Sequence, residues 1–207
     1  TWGVAVEGVE LTEAYWRANF EGPVLLSPSV THLAGLGHRN FVELSPHAIL
    51  RPFLEATLTG LEDGPAVVLP AQLRDADGRA TALRALGRLF TLGAPVRWRA
   101  VSPVADTPAP LLLPLSARSE EALRAAAERH RDVLRAQPTN SRDLCFSATF
   151  HREHHDRRMV VAARSRDELA DKLDAFVGGE VLEGVTSARR SPRAGRAVFV
   201  FPGQGSQ

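Results

Sequence analysis

The sequence predicts an α/β (α+β) chain, on three observations. Short apolar runs alternate with longer segments whose apolar residues recur at helical spacing. A proline-rich stretch, Pro103 to Pro110, divides the chain where little can be buried. The 207 residues, 44% hydrophobic and 24% charged, suffice for one large domain or two small ones, each with its own core.

Each element follows from local signals. Leu11 to Phe20, with Thr12 as cap and Tyr15, Trp16 and Phe20 on one side, reads as a helix that Gly22-Pro23 ends. Phe41-Val42-Glu43-Leu44 reads as a buried strand closed by Ser45-Pro46. The helix after it carries Leu50, Phe53, Leu54 and Leu58 on its stripe. Val67-Val68-Leu69 is a second strand, and Ala80 to Leu92 a helix with Leu83, Leu86, Leu89 and Phe90 on one face and Gly93 at its stop.

Beyond the linker, Leu111-Leu112-Leu113 is a strand and Ser119 caps a helix whose first turn holds Glu120 and Glu121. Its inner stripe is Leu123, Ala126, Ala127, Val133 and Leu134. A helix at Ser141 to Phe150 and a strand at Arg158 to Ala163 follow. Ser165-Arg166-Asp167-Glu168 is a capping box for a helix that Gly178-Gly179 stops. Residues 111 to 185 thus read as β-α-α-β-α. Last, Ala197 to Phe201 is fully apolar and ends at Pro202-Gly203, as a central parallel strand delivering a loop to an active-site edge would.

Several function classes are disfavoured. The 25 basic and 24 acidic residues nearly cancel, which favours neither nucleic acid nor a membrane surface. No apolar run approaches the roughly 20 residues that cross a bilayer. The one cysteine, Cys145, forms no internal disulfide and is compatible with a reducing, cytoplasmic setting. All basic residues but Lys172 are arginine, a mark of a GC-rich coding sequence. The chain opens at Thr1 and stops after Gly-Gln-Gly-Ser, and is expected to be a piece of something longer.

Candidate chemistry is sparse. No Gly-x-Ser-x-Gly elbow occurs, so autonomous acyl-enzyme catalysis is not expected. Gly203-Gln204-Gly205 after a strand suits presentation of a backbone N–H to an oxyanion, with an ordinary strand-ending turn as the other reading. His151, His154 and His155 read as a polar turn rather than a metal site, because a following strand would point neighbours to opposite faces. The Arg189 to Arg196 run reads as a solvated linker and Cys145 as packing.

Tyr15-Trp16-Arg17-Ala18-Asn19-Phe20-Glu21-Gly22-Pro23-Val24 and Phe41-Val42-Glu43-Leu44-Ser45-Pro46-His47-Ala48-Ile49-Leu50 resemble the C-terminal part of the acyltransferase domain of modular type I polyketide synthases. Leu83 to Trp98 resembles that family's post-acyltransferase linker. Leu112 to Phe176 is similar to the small α/β domain that joins ketosynthase to acyltransferase, and Val198 to Gln207 resembles the opening of an acyltransferase. The resemblance implies four parts: an acyltransferase end (1–62), a post-acyltransferase linker (63–110), an α/β linker domain (111–188), and a flexible joint with the first strand of a following acyltransferase (189–207). The fold is then a fragment of an acyltransferase α/β domain joined to a small α/β linker domain.

The same resemblance places an oxyanion-hole backbone N–H on Gln204 and a supporting role beside the catalytic histidine on Asn19, and treats His47 as structural. The nucleophilic serine, the malonyl-clamping arginine and the catalytic histidine fall outside these residues. The implied reaction moves malonyl-type or starter acyl groups from acyl-CoA to the phosphopantetheine thiol of an acyl carrier protein. The implied partners are that carrier and neighbouring ketosynthase and acyltransferase domains, with no metal and no cofactor bound by the fragment. A non-catalytic unit that spaces synthase domains is the alternative. The order of parts suggests two tandem acyltransferases, and a recombined gene would give the same order. Under the tandem reading Phe41–Leu44 and Ala197–Phe201 belong to different sheets, so they are expected not to pair, leaving Phe199 and Phe201 exposed.

Overall fold

Helix α4 is covered by a β-sheet on each side, and the rest of the chain is arranged around it. The computed structural model describes residues 12–61, 65–98, 101, 110–136, 140–191 and 197–202, without the side chain of Asn19. The elements run α1 (Glu13–Glu21), α2 (Leu26–Gly35), β1 (Asn40–Glu43), α3 (Arg51–Leu58), β2 (Val67–Pro70), α4 (Gly78–Leu92), β3 (Leu111–Ala117), α5 (Glu120–Ala136), α6 (Ser141–Phe150), β4 (Arg157–Ala163), α7 (Arg166–Gly178), β5 (Val185–Arg189) and β6 (Ala197–Val200). The class is α/β, and the Pro103–Pro110 linker lies outside the described residues except at Pro110.

The first sheet has the order β2-β1-β6, all parallel. Phe41, with Val198 and Val200 of β6, packs against α2 and α3 through Val30, Ala34, Leu54 and Leu58. Val42 faces the other way, onto Leu89 and Ala94 of α4 and its C-terminal turn. Both faces of β1 are therefore covered, as its continuous apolar run requires. The expectation that Phe41–Leu44 and Ala197–Phe201 do not pair is corrected. Val42 lies opposite Phe199, and Leu44 N–H donates to Val200 O at 2.8 Å. Nor is β6 central: β1 holds the middle and β6 the edge, so Phe199 stays 56% exposed and Phe201 70%.

The second sheet, β3-β4-β5, is antiparallel throughout. Leu113, Met159 and Val161 on one face share a core with Leu123, Ala127 and Leu134 of α5, Cys145 and Ala148 of α6, and Leu169, Leu173 and Phe176 of α7. Two corrections apply to the β-α-α-β-α reading. A third strand, β5, completes the sheet, so Arg189 ends a strand rather than opening a linker. Val133 points outward, because the stripe Leu123-Ala127-Leu134 takes the inner side of α5. Pro114 is tolerated inside β3 because β3 is an edge strand.

The other face of β4 explains why this strand is buried along nearly its whole length. Gly87 of α4 sits on Val160 so closely that a Cβ at Gly87 would lie 2.9 Å from Val160 Cγ1. Arg158 is buried there too, its guanidinium 4.6 Å from the Phe90 ring centroid and its Nη1 donating to Phe90 O at 3.1 Å. Arg84 pairs with Glu183 at 2.6 Å, and Arg88 donates to Ser187 O. The expected single apolar face of α4 is thus two faces, one for each sheet. Asp77 caps the helix by accepting from the N–H groups of Arg79 and Ala80, and Gly93 ends it at φ 104°.

Three further differences have simple causes. Helix α2 carries Leu26, Val30, Leu33 and Ala34 at i, i+4, i+7 and i+8, a helical signal hidden by two serines, a proline and no side-chain cap. Phe53 of α3 is exposed, since Leu54 and Leu58 take the buried side. Trp16 and Phe20 of α1 are likewise exposed instead of packed.

Gly87→Ala is expected to destabilise the chain by about 1–2 kcal/mol in urea titration. Overpacking at a stiff β-branched neighbour costs about 1–3 kcal/mol, and the helix recovers under about 1. Adding Val160→Ala should return part of the loss. Burial holds His130 and His154 below their ordinary 6.5, most strongly through desolvation in each case. The unfolded chain then binds more protons, so stability is complete above about pH 6.5 and falls as pH drops toward the folded values. Replacing both histidines with glutamine should flatten that decline in urea midpoints between pH 8 and pH 5.5.

Candidate functional site

In an open parallel sheet, ligands lie outside the carboxyl ends of the strands, where the strand order reverses. From β1 the chain proceeds to β2 on one side, whereas β6 lies on the other. The reversal therefore falls between β1 and β6. Their carboxyl ends carry Leu44-Ser45-Pro46-His47 and Phe201-Pro202.

Glu43 organises this edge from beneath. It is fully buried, and its Oε1 accepts from Ser45 Oγ at 2.9 Å and from Leu50 N–H at 2.9 Å. Leu50 is the N-cap of α3 and supplies no side-chain cap of its own, so the Glu43 carboxylate serves the helix start from the strand. Ser45 Oγ also lies within bonding reach of His47 O, and its single proton serves one acceptor at a time. Glu43 Oε2 and His47 Nδ1 are buried without a protein partner among the described residues.

Chemically, this edge is a scaffold. Ser45 reaches the carbonyl of His47 and not its ring, so the pair is no nucleophile–base couple. Glu43, being inaccessible, holds the turn and cannot touch a substrate. Glu43 lies inside the Phe41-to-Leu50 motif but is not among the expected site residues. A charged residue within Phe41-Val42-Glu43-Leu44 was the available signal, since buried carboxylates need dedicated donors.

Of the expected site residues, Gln204 lies outside the described residues, as does the side chain of Asn19. Gly203 follows directly from Pro202 at the carboxyl end of β6, while Asn19 belongs to α1, whose aromatic residues are exposed. The histidines have structural neighbours: His154 meets Phe90 edge-on at 4.9 Å, and His155 N–H donates to Ser116 Oγ. No group of three or more His, Cys, Asp and Glu among the described residues could hold a metal ion. Within Arg189–Arg196, residues 192–196 lie outside the described part.

Two known families match the chain, each over less than half of its length. Residues 3–96 match the acyl transferase domain family, and residues 111–173 match the CurL-like, PKS C-terminal family. Both matches agree with the resemblance to the acyltransferase region of modular type I polyketide synthases. It is 40% identical over 99 residues to the spectinabilin polyketide synthase system protein NorA' of Streptomyces orinoci, covering 48% of this chain and 3% of that protein. It is 39% identical over 157 residues to NorA of the same organism, covering 69% of this chain and 8% of that protein. With erythronolide synthase EryA3 of Saccharopolyspora erythraea it shares 34% identity over 117 residues, 56% of this chain and 4% of that protein. The chain thus spans under a tenth of the length of these relatives. A solved acyltransferase domain from module 8 of the salinomycin polyketide synthase aligns at 27% identity with a TM-score of 0.37, covering 39% of this chain and 19% of that one. No helix among the described residues is long and apolar enough to cross a membrane.

Burial pushes the Cys145 thiol up to about 12, against smaller opposing effects of Arg142 and a backbone hydrogen bond involving Leu112. The thiol is therefore expected to resist maleimide at pH 7.5 while folded and to react once unfolded in urea. Mass spectrometry of the two states checks it.

Proposed function

We propose that this segment forms part of an acyltransferase that moves acyl groups from acyl-CoA to the phosphopantetheine thiol of an acyl carrier protein. The observation that carries this reading is the parallel pairing of β1 with β6, which ends both strands at the switch-point edge. In sequence, Gly203-Gln204-Gly205 directly follows Pro202, which lies at that edge. In this reading the Gln204 N–H faces the oxyanion of a tetrahedral intermediate and Asn19 supports the histidine base. The reaction is ping-pong through an acyl-serine, with serine and histidine supplied by other parts of a cytoplasmic synthase, whose ketosynthase and acyltransferase domains are the neighbours. The four-part division at 62, 110 and 188 belongs to the same proposal. Helix α4, wedged between the two sheets, supports the second reading of a non-catalytic spacer.

Two measurements separate these. The isolated chain, incubated with malonyl-CoA or acetyl-CoA, is expected to show no acyl adduct by mass spectrometry; an adduct would mean that it holds its own nucleophile. In a synthase that carries this chain, Gln204→Pro removes the backbone N–H and should lower acyl transfer about 100- to 1,000-fold, whereas Gln204→Ala keeps it and should retain most activity. Equal, undiminished activity in both variants leaves only the spacer.

A further inference from the structure

A cavity of about 430 Å³ lies away from the switch-point edge, between α6, the start of β3 and the first turns of α4. That volume falls within the range of roughly 300–1,000 Å³ typical of small-molecule sites. Its walls are mainly apolar: Leu83, Trp98, Leu112, Phe146 and Phe150 contribute, and the Cys145 thiol lies among them. Phe146 is half exposed although it is a large aromatic residue, and its ring pairs with Phe150 at 4.6 Å to form one side of the opening.

The charged lining is net positive. It holds two arginines, Arg79 and Arg142, and one carboxylate, Asp143. Arg142 makes itself felt inside, since its charge favours the thiolate of Cys145. Arg79 stands in the first turn of α4, where the helix dipole adds positive potential. An apolar cleft with a cationic end is complementary to an amphipathic anion, whose chain loses water against the rings while its head stays beside the guanidinium groups.

We propose that this cavity binds a medium-length aliphatic chain with an anionic head, the chain lying between Leu83, Trp98 and the Phe146–Phe150 pair and the head beside Arg79 and Arg142. The site does not depend on the acyl-transfer reading, because it shares no residue with the β1–β6 edge.

The test uses the full 207-residue chain with decanoate, decyl phosphate and decanol, followed by Trp98 fluorescence and by thermal shift. Decanoate or decyl phosphate is expected to give a saturable change with a Kd on the order of 100 μM and to raise the melting temperature. Whichever head binds more tightly identifies the ligand as a carboxylate or a phosphate. Decanol should bind at least tenfold more weakly. Arg79→Gln should remove most of that preference, and Phe146→Ala should weaken all three ligands at least fivefold. Both replaced side chains are exposed, and far-UV circular dichroism confirms the fold of each variant. Trp98→Phe should abolish the fluorescence change but keep the thermal shift. Absence of a saturable response at 5 mM, equal binding of decanol and decanoate, or unchanged affinity in both the Arg79 and Phe146 variants overturns the proposal.

Discussion

The approach of Gly87 to Val160 governs how the two halves of this chain meet. Side chains normally hold a helix off a sheet, and a glycine at the crossing lets α4 settle onto β4. That descent brings Phe90 down to Arg158, whose guanidinium can then lie on the ring and donate to the helix carbonyl. No carboxylate pairs with Arg158 among the described residues, so carbonyls and an aromatic face offset its loss of water. The same helix must also cover Val42 on the first sheet, which it does through Leu89 and Ala94. Two sheets of different topology are thereby given one common layer.

At the first sheet, polar demands are handled by a single carboxylate. Glu43 is spent on Leu50 N–H and Ser45, which fixes the start of α3 relative to the end of β1. The geometry at the switch point is therefore set from beneath, by a group that no substrate reaches. The consequence is mechanical: strand ends need to be rigid before any loop attached to them can be positioned.

Much of the fold could be read from local pattern, because its signals are local. Thr12, Asp77, Ser119, Asn140 and Ser165 sit at helix starts with side chains that cap them, and Gly93 and Gly179 stop helices in the left-handed region. What escaped the reading was non-local. Whether Phe53 or Leu58 faces inward depends on where α2 lies, and α2 itself announced its start with no cap. The short strand β5, with Thr186 and Ser187 at its centre, is recognisable only once β4 is there to pair with it. Arg158 gave no sign of burial, since an arginine enters a core only where a partner element supplies acceptors. At the candidate site, the turn chemistry of Ser45-Pro46-His47 is local, whereas the bond from Leu50 N–H to Glu43 joins residues seven apart and is signalled only by a charge inside an apolar strand.

The pairing of β1 with β6 shows how family order and physical pairing can diverge. By resemblance these strands belong to the end of one acyltransferase and the opening of the next, which argued for leaving them apart. Physically, β1 is an apolar strand with one neighbour, β2, and its other edge would otherwise carry unpaired N–H and C=O groups. β6 is apolar, uncharged and of matching length, and it places Val198 and Val200 on the α2–α3 core while Phe199 faces the α4 side. Pairing satisfies the ladder of the central strand and partly buries two valines, and it leaves one aromatic residue of β6 wet. That residual exposure follows from β6 being an edge strand with no further neighbour among the described residues. A single sheet edge thus collects the Ser45-Pro46-His47 turn at the end of β1 and Phe201-Pro202 at the end of β6, a juxtaposition set by strand pairing and not by the order of the parts along the chain.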